Sequence, residues 1–276
     1  MDTRPIGVFD SGLGGLTAVR ELQRELPHEH IVYFGDTGRV PYGTRSAETL
    51  LEYAGQDSRF LLRQDVKMII AACGTVSSVA KEVLDELPVP ALGVVEPTAK
   101  AAAKATKNGR IGVIATAATI RSGAFERALK ELGDYEVFTQ ACPLFVSLVE
   151  AGWIDPDDTV TKQVAERYLQ PLKEQKIDTL ILGCTHFPLL SPIIDRVLGG
   201  KVTLVDAGRE TARACADILA AQNALADRFE NGECRFFVSD RPDGFACVAE
   251  MFLGRQVEDT VSRVPMAVLT EQEGAL

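Results

Sequence analysis

Histidine and tryptophan are scarce in this chain, with three of one and a single copy of the other in 276 residues. Six cysteines are present (Cys73, Cys142, Cys184, Cys215, Cys234 and Cys247), but no two stand at C-x-x-C spacing. Without that spacing, and with so few histidines, a tetrahedral zinc site lacks its ligands, so no metal is expected. Positive charge is also short: 29 Lys and Arg face 39 Asp and Glu, for a net charge of −10. That balance gives no electrostatic pull toward nucleic acid or an anionic membrane, and neither is expected as a partner. No window approaches the roughly 18 apolar residues of a membrane span. Met1-Asp2-Thr3-Arg4 leads straight into a strand-like run, without the apolar core of a signal peptide. The expectation is a cytoplasmic protein whose cysteines are thiols. Cys142, Cys215, Cys234 and Cys247 read as small buried hydrophobes.

What is present is an ordinary globular composition, 46% hydrophobic and 25% charged, long enough for one large or two modest domains. Short apolar runs alternate with helical patterns. Strands are predicted at 5–9, 31–34, 68–72, 91–95, 110–115, 136–141, 179–182, 201–205 and 235–238. Helices are predicted at 15–25, 44–64, 76–86, 97–104, 122–132, 159–176, 192–198 and 209–226. This order predicts an α/β fold of mainly parallel sheets covered by helices.

The chain also echoes itself. "IGVFDSG" from residue 6 resembles "IGVIATA" from residue 111, and "MIIAACGT" resembles "LILGCTH", which sets Cys73 and Cys184 111 residues apart. "LGVVEPTAKA" resembles "TLVDAGRETA" at an offset of 110. Similar offsets in the same order suggest a duplicated half, although buried parallel strands resemble one another in any case. Two similar α/β domains related by a pseudo-dyad are expected, with the active site in the cleft between them. One comprises 1–98 with 207–264, the other 99–206, and 265–276 is expected to be a disordered tail. The carboxyl ends of parallel strands are where ligands bind, and both Cys73 and Cys184 fall there.

Paired thiols suit the inversion of a carbon bearing an acidic hydrogen. One face must lose a proton to a thiolate while the other receives one from a thiol. A free cysteine titrates near 8.5, so forming the thiolate at pH 7 costs about 2 kcal/mol. His186, two residues past Cys184, is a neighbour that accepts a thiol proton or stabilises a thiolate. A charged Asp10 opposes a nearby thiolate, so it is expected to act through a hydrogen bond or a shared proton.

Taken together, "VFDSGLGG", "YFGDTGRVPYG", "AACGT", "LVEAG" and "GCTHFP" resemble the glutamate racemase family, from residue 6 to 206. The resemblance implies cofactor-independent interconversion of L- and D-glutamate, supplying D-glutamate for peptidoglycan. It makes Cys73 and Cys184 the acid/base pair, the first acting on D-glutamate and the second on L-glutamate, assisted by Asp10, His186 and Glu150. Substrate contacts are implied at Asp10, Ser11, Pro41, Tyr42, Gly43, Gly74, Thr75, Thr116, Thr119, Cys184, Thr185 and His186. The family usually carries Asn after its first cysteine, where this chain has Gly74. Restoring that amide is expected to be tolerated.

Single motifs have plainer readings. "DSGLGG" suits a strand-to-helix turn or a phosphate cradle, "PYG" a turn, His186 a loop histidine and Glu150 a solvated helix residue. None of the ten lysines directly follows a predicted strand, which disfavours a pyridoxal-phosphate enzyme. An aspartate racemase of the same fold remains an alternative, as does a non-catalytic amino-acid-binding module. A homodimer is compatible with the sequence.

Overall fold

The computed structural model describes residues 1–243, 245–257 and 261–271, without the side chains of residues 246 and 247. The packing expected of Cys247 therefore lies outside the described residues. Ten strands form two wholly parallel sheets among these residues. They are β1 (Ile6–Asp10), β2 (Ile31–Gly35), β3 (Met68–Ala71), β4 (Ala91–Gly93), β5 (Arg110–Ala115), β6 (Glu136–Ala141), β7 (Thr179–Leu182), β8 (Thr203–Asp206), β9 (Cys234–Val238) and β10 (Val261–Arg263). The first sheet runs β10-β9-β2-β1-β3-β4 and the second β6-β5-β7-β8. We call the halves built on them the first and second lobes.

Helices cover both faces of the sheets, so β1, β2, β3 and β7 are buried from end to end. This is why they read as continuous aliphatic runs rather than alternating ones. Gly7 in β1 leaves room for Val66 and Leu61, whose methyls come within 3.1–3.2 Å of where a Cβ would stand. The chain passes from the first lobe to the second between β4 and Val95–Ala105, and returns between β8 and Ala207–Ala221. At the return, Asp206 caps the helix, its carboxylate accepting from the Gly208 and Arg209 amides.

Several expected elements differ. The strand predicted to 95 ends at Gly93, because Val95 already opens the next helix. The helix predicted at 122–132 begins at Ala124, and a separate helix that was not predicted, Ala117–Ser122, precedes it across Gly123 with φ +63°. Glycine adopts that conformation at no steric cost. Residues 76–86 divide at Ala80. Helices Pro143–Glu150, Phe245–Leu253 and Met266–Thr270, and strand β10, were not foreseen. The last of these helices buries Leu269, so the expected disorder does not extend over residues 266–270. Residues 272–276 lie outside the described set. Among the described residues, no helix is long and apolar enough to cross a membrane.

Candidate active site

A cavity of about 430 Å³ opens between the lobes at the carboxyl ends of both sheets. The first lobe supplies Ser11 and Gly12 after β1, residues 40–44 after β2, and Cys73, Gly74 and Thr75 after β3. The second supplies Thr116 after β5, Pro143, Val146, Ser147 and Glu150 from one helix, and residues 183–186 after β7. Both thiols thus line one cavity, each from a different sheet. A smaller cavity of about 250 Å³ beside Lys81 offers less chemistry, since Asp85 and Glu96 already hold that ammonium at 3.1 Å each.

The two sulfurs sit in opposite local fields. Cys73 donates to the Ser11 hydroxyl at 3.6 Å. Burial and the nearby Asp10 carboxylate push its thiol up to about 12, against weaker help from the Val76 amide and Ser11. The Cys184 sulfur lies 3.9 Å from Nδ1 of His186, whose Nε2 is 3.2 Å from Glu150 Oε1. Burial opposes a charge on that imidazole, but Cys184, Glu150 and Asp10 together raise it to about 10. Cys184 therefore faces an imidazole whose hold on a proton is raised, and Cys73 a buried carboxyl. The Phe252 ring packs edge-on against His186 at 5.3 Å, a contact from the C-terminal segment that the sequence did not suggest.

Asp10 does not line the cavity but stands behind it, 1% exposed. Its Oδ2 accepts from the Gly15 and Gly12 amides at 3.0 and 3.2 Å, while Oδ1 has no hydrogen-bond partner among the described residues. Burial raises its carboxyl above the usual range, and the His186 charge opposes that rise.

Hydroxyls join the lobes around the cavity. Thr75 and Thr116 meet at 3.0 Å, and Thr17 donates to the Thr185 carbonyl at 2.9 Å. Thr116 also caps its helix, and Thr119 stands behind it, buried and outside the cavity wall, with its hydroxyl 3.0 Å from that of Thr116. The "GLGG" turn is packed against the second lobe. A Cβ at Gly14 would fall 2.3 Å from the Thr185 hydroxyl and 2.6 Å from the His186 ring. Pro41, Tyr42 and Gly43 all line the cavity, but the Tyr42 hydroxyl turns away into a buried cluster with Asp36 and Asp57. Val146 and Ser147 escaped the sequence reading because "LFVSLV" suits a strand as well as a helix. Its one signal was Pro143, which occupies the first turn.

Among the remaining thiols, Cys142, Cys215 and Cys234 are buried away from the cavity wall, with Cys215 packed 3.6 Å from the Met68 sulfur. No group of three or more His, Cys, Asp or Glu among the described residues is placed to hold a metal ion.

Comparison with known proteins gives a consistent result. The sequence pattern of the family described as Asp/Glu/hydantoin racemase matches residues 17–215. A glutamate racemase from Geobacter metallireducens is 47% identical over 261 residues, covering 94% of this chain and 96% of its own. The crystal structure of a glutamate racemase isoform from Bacillus anthracis superposes with a TM-score of 0.91 at 40% identity, over 96% of this chain and 99% of that one. Another from Francisella tularensis, in complex with D-glutamate, gives 0.88 at 38% identity, over 96% and 99%.

Proposed function

This chain belongs to the Asp/Glu/hydantoin racemase family, and we propose that it interconverts L- and D-glutamate without a cofactor, using Cys73 and Cys184 as the two proton carriers. The observation that carries this reading is that both thiols line one cavity while rising from different sheets. A substrate held between them presents one face of Cα to each sulfur. In the L-to-D direction, the Cys184 thiolate takes the Cα hydrogen and becomes a thiol. The electron pair left on Cα delocalises into the α-carboxylate, and the Cys73 thiol delivers its proton to the opposite face, leaving a thiolate. The reverse reaction exchanges the roles.

The local fields favour that assignment. The imidazolium of His186 offsets negative charge on Cys184, while burial, with Asp10 adding to it, keeps Cys73 in the proton-bearing form needed to deliver. Ser11, Thr75, Thr116 and Thr185 offer hydroxyls, and residues 41–43 a loop wall, to hold the substrate's polar groups. The same reading makes this a cytoplasmic enzyme supplying D-glutamate for peptidoglycan. The test is chiral chromatography of L- and D-glutamate incubated with the protein and no added cofactor, with both enantiomers of aspartate in parallel. Conversion of glutamate to a racemate is expected. Inertness toward both amino acids returns the cavity to a binding role, and faster aspartate turnover reassigns the substrate.

A further inference from the structure

Behind the loop wall lies a cluster of buried ionisable groups for which the reaction has no direct use. Asp36, Arg39 and Tyr42 come from the loop after β2, while Tyr53, Gln56 and Asp57 come from the helix Ala47–Leu62. Asp36 and Asp57 are wholly buried, and neither touches the cavity. Every side of the Arg39 guanidinium is engaged. It donates through Nε to Asp36, through Nη1 to Gln56 and through Nη2 to Asp57 at 2.8 Å, and its face lies 4.0 Å from the centre of the Tyr53 ring. Tyr42 adds its hydroxyl to Asp36 and, at 3.1 Å, to Asp57 Oδ2. Arg39 and Tyr42 flank Val40 and Pro41, so the wall is pinned at both ends to a single helix. Its far side meets the second lobe, where the Thr116 side chain lies 3.4 Å from a Cβ built at Gly43.

We propose that Asp57, though it never reaches the cavity, is a positioning residue. Through Arg39 and Tyr42 it fixes residues 40–43 in the place where the substrate is read. The inference rests on the proposed racemase activity for its kinetic consequence, but not for its structural one.

Counting donors and charges supports the assignment. Tyr42 has one hydroxyl hydrogen and two carboxylates within reach, and one guanidinium balances only one of those carboxylates. Both counts are satisfied by one further proton on Asp57. Its Oδ2 then donates to the Tyr42 oxygen, and Tyr42 donates to Asp36. Burial, together with the Asp36 charge, pushes the Asp57 acid well up, in the direction this arrangement requires, although Arg39 and Tyr42 oppose it. A neutral Asp57 makes asparagine its closest substitute, with Oδ1 accepting from Arg39 and the amide donating to Tyr42.

The test compares Asp57→Ala with Asp57→Asn by two readouts. In the alanine variant the KM for glutamate should rise about tenfold while kcat stays within about threefold, because a displaced wall weakens holding of the substrate more than proton transfer. Hydrogen exchange of the backbone amides of residues 39–45, followed by mass spectrometry, should quicken at least tenfold in the alanine variant. The asparagine variant should restore both to within about twofold of wild type. Should Asp57→Ala fail to fold, Tyr42→Phe replaces it with the same expectations, since the ring still packs on Tyr53 at 5.2 Å. Unchanged KM and exchange in the alanine variant, or an asparagine variant as impaired as alanine, overturns the proposal. Wild-type protein that racemises nothing overturns the activity instead, and the exchange readout then decides the positioning role alone.

Discussion

Gly74 of the first lobe meets Gly183 of the second backbone to backbone. A Cβ on residue 74 would stand 2.4 Å from the Gly183 carbonyl oxygen. Each glycine adjoins one of the two thiols, so this contact sets how closely Cys73 and Cys184 approach across the cavity.

The first prediction reverses what the sequence suggested. The amide expected to be tolerated at residue 74 has no room, because the obstructing atom is backbone and cannot rotate aside. Gly74→Asn should wedge the lobes apart, destabilise the fold by about 1–3 kcal/mol, and lower turnover at least tenfold by lengthening the proton path. Gly74→Ala should do the same less severely. Thermal melts and kcat decide it, and wild-type values for the asparagine variant would show that the lobes separate at no cost.

Cys73→Ala and Cys184→Ala should each keep less than about a hundredth of wild-type racemisation while melting normally, since a positioned acid or base contributes roughly 10² to 10⁴. Cys215→Ala, removing a thiol packed on Met68 outside the cavity, should keep nearly all of it. Retention of a tenth or more of the rate by either cavity variant removes that cysteine from the mechanism.

Deuterated water distinguishes two carriers from one. The delivering thiol exchanges with solvent between turnovers, so newly formed D-glutamate should carry deuterium at Cα from the first turnover, while remaining L-glutamate stays protiated. Starting from D-glutamate, the pattern should mirror this. Proton NMR after chiral separation reads both pools, and early product rich in protium would point to a single base reaching both faces.

The His186 pair makes stability depend on pH in a definite direction. Its imidazole is raised in the folded state from 6.5 to about 10. A group whose folded value is raised stabilises fully below its unfolded value and loses that contribution as pH climbs to the folded one. Wild-type protein should therefore lose melting temperature progressively between pH 6.5 and about 10. His186→Asn should show a shallower slope over the same range. Equal slopes would mean that the imidazole is not charged in the folded protein.

Much of this arrangement was legible from residue order alone. The bounds of β5 and β7 coincide with those predicted, because each is a mainly apolar run closed off by glycine, charge or a helix cap; those of β6, a half-polar strand, coincide as well. The thiols were legible as a repeat, since a strand end that recurs with its cysteine needs no tertiary knowledge to be seen. What escaped was long-range or locally ambiguous. Val261–Arg263 is a three-residue edge strand reading Val-Ser-Arg, too short to show a period. The contact of Gly74 with Gly183 joins residues 109 positions apart and leaves no local mark. Tyr42 belongs to a motif that advertises a binding loop, yet its hydroxyl serves Asp36 and Asp57, whose burial follows only from the folded helix behind it.

The pairing of β2 with β9, in which Ile31 lies beside Cys234, also bears on how the protein emerges from the ribosome. All four strands of the second sheet fall between residues 110 and 206, so that half can close while translation continues. The first sheet must wait for residues beyond 230, with the edge of β2 unpaired in the meantime and open to wrong partners. The half that begins the chain is the half whose sheet is completed last.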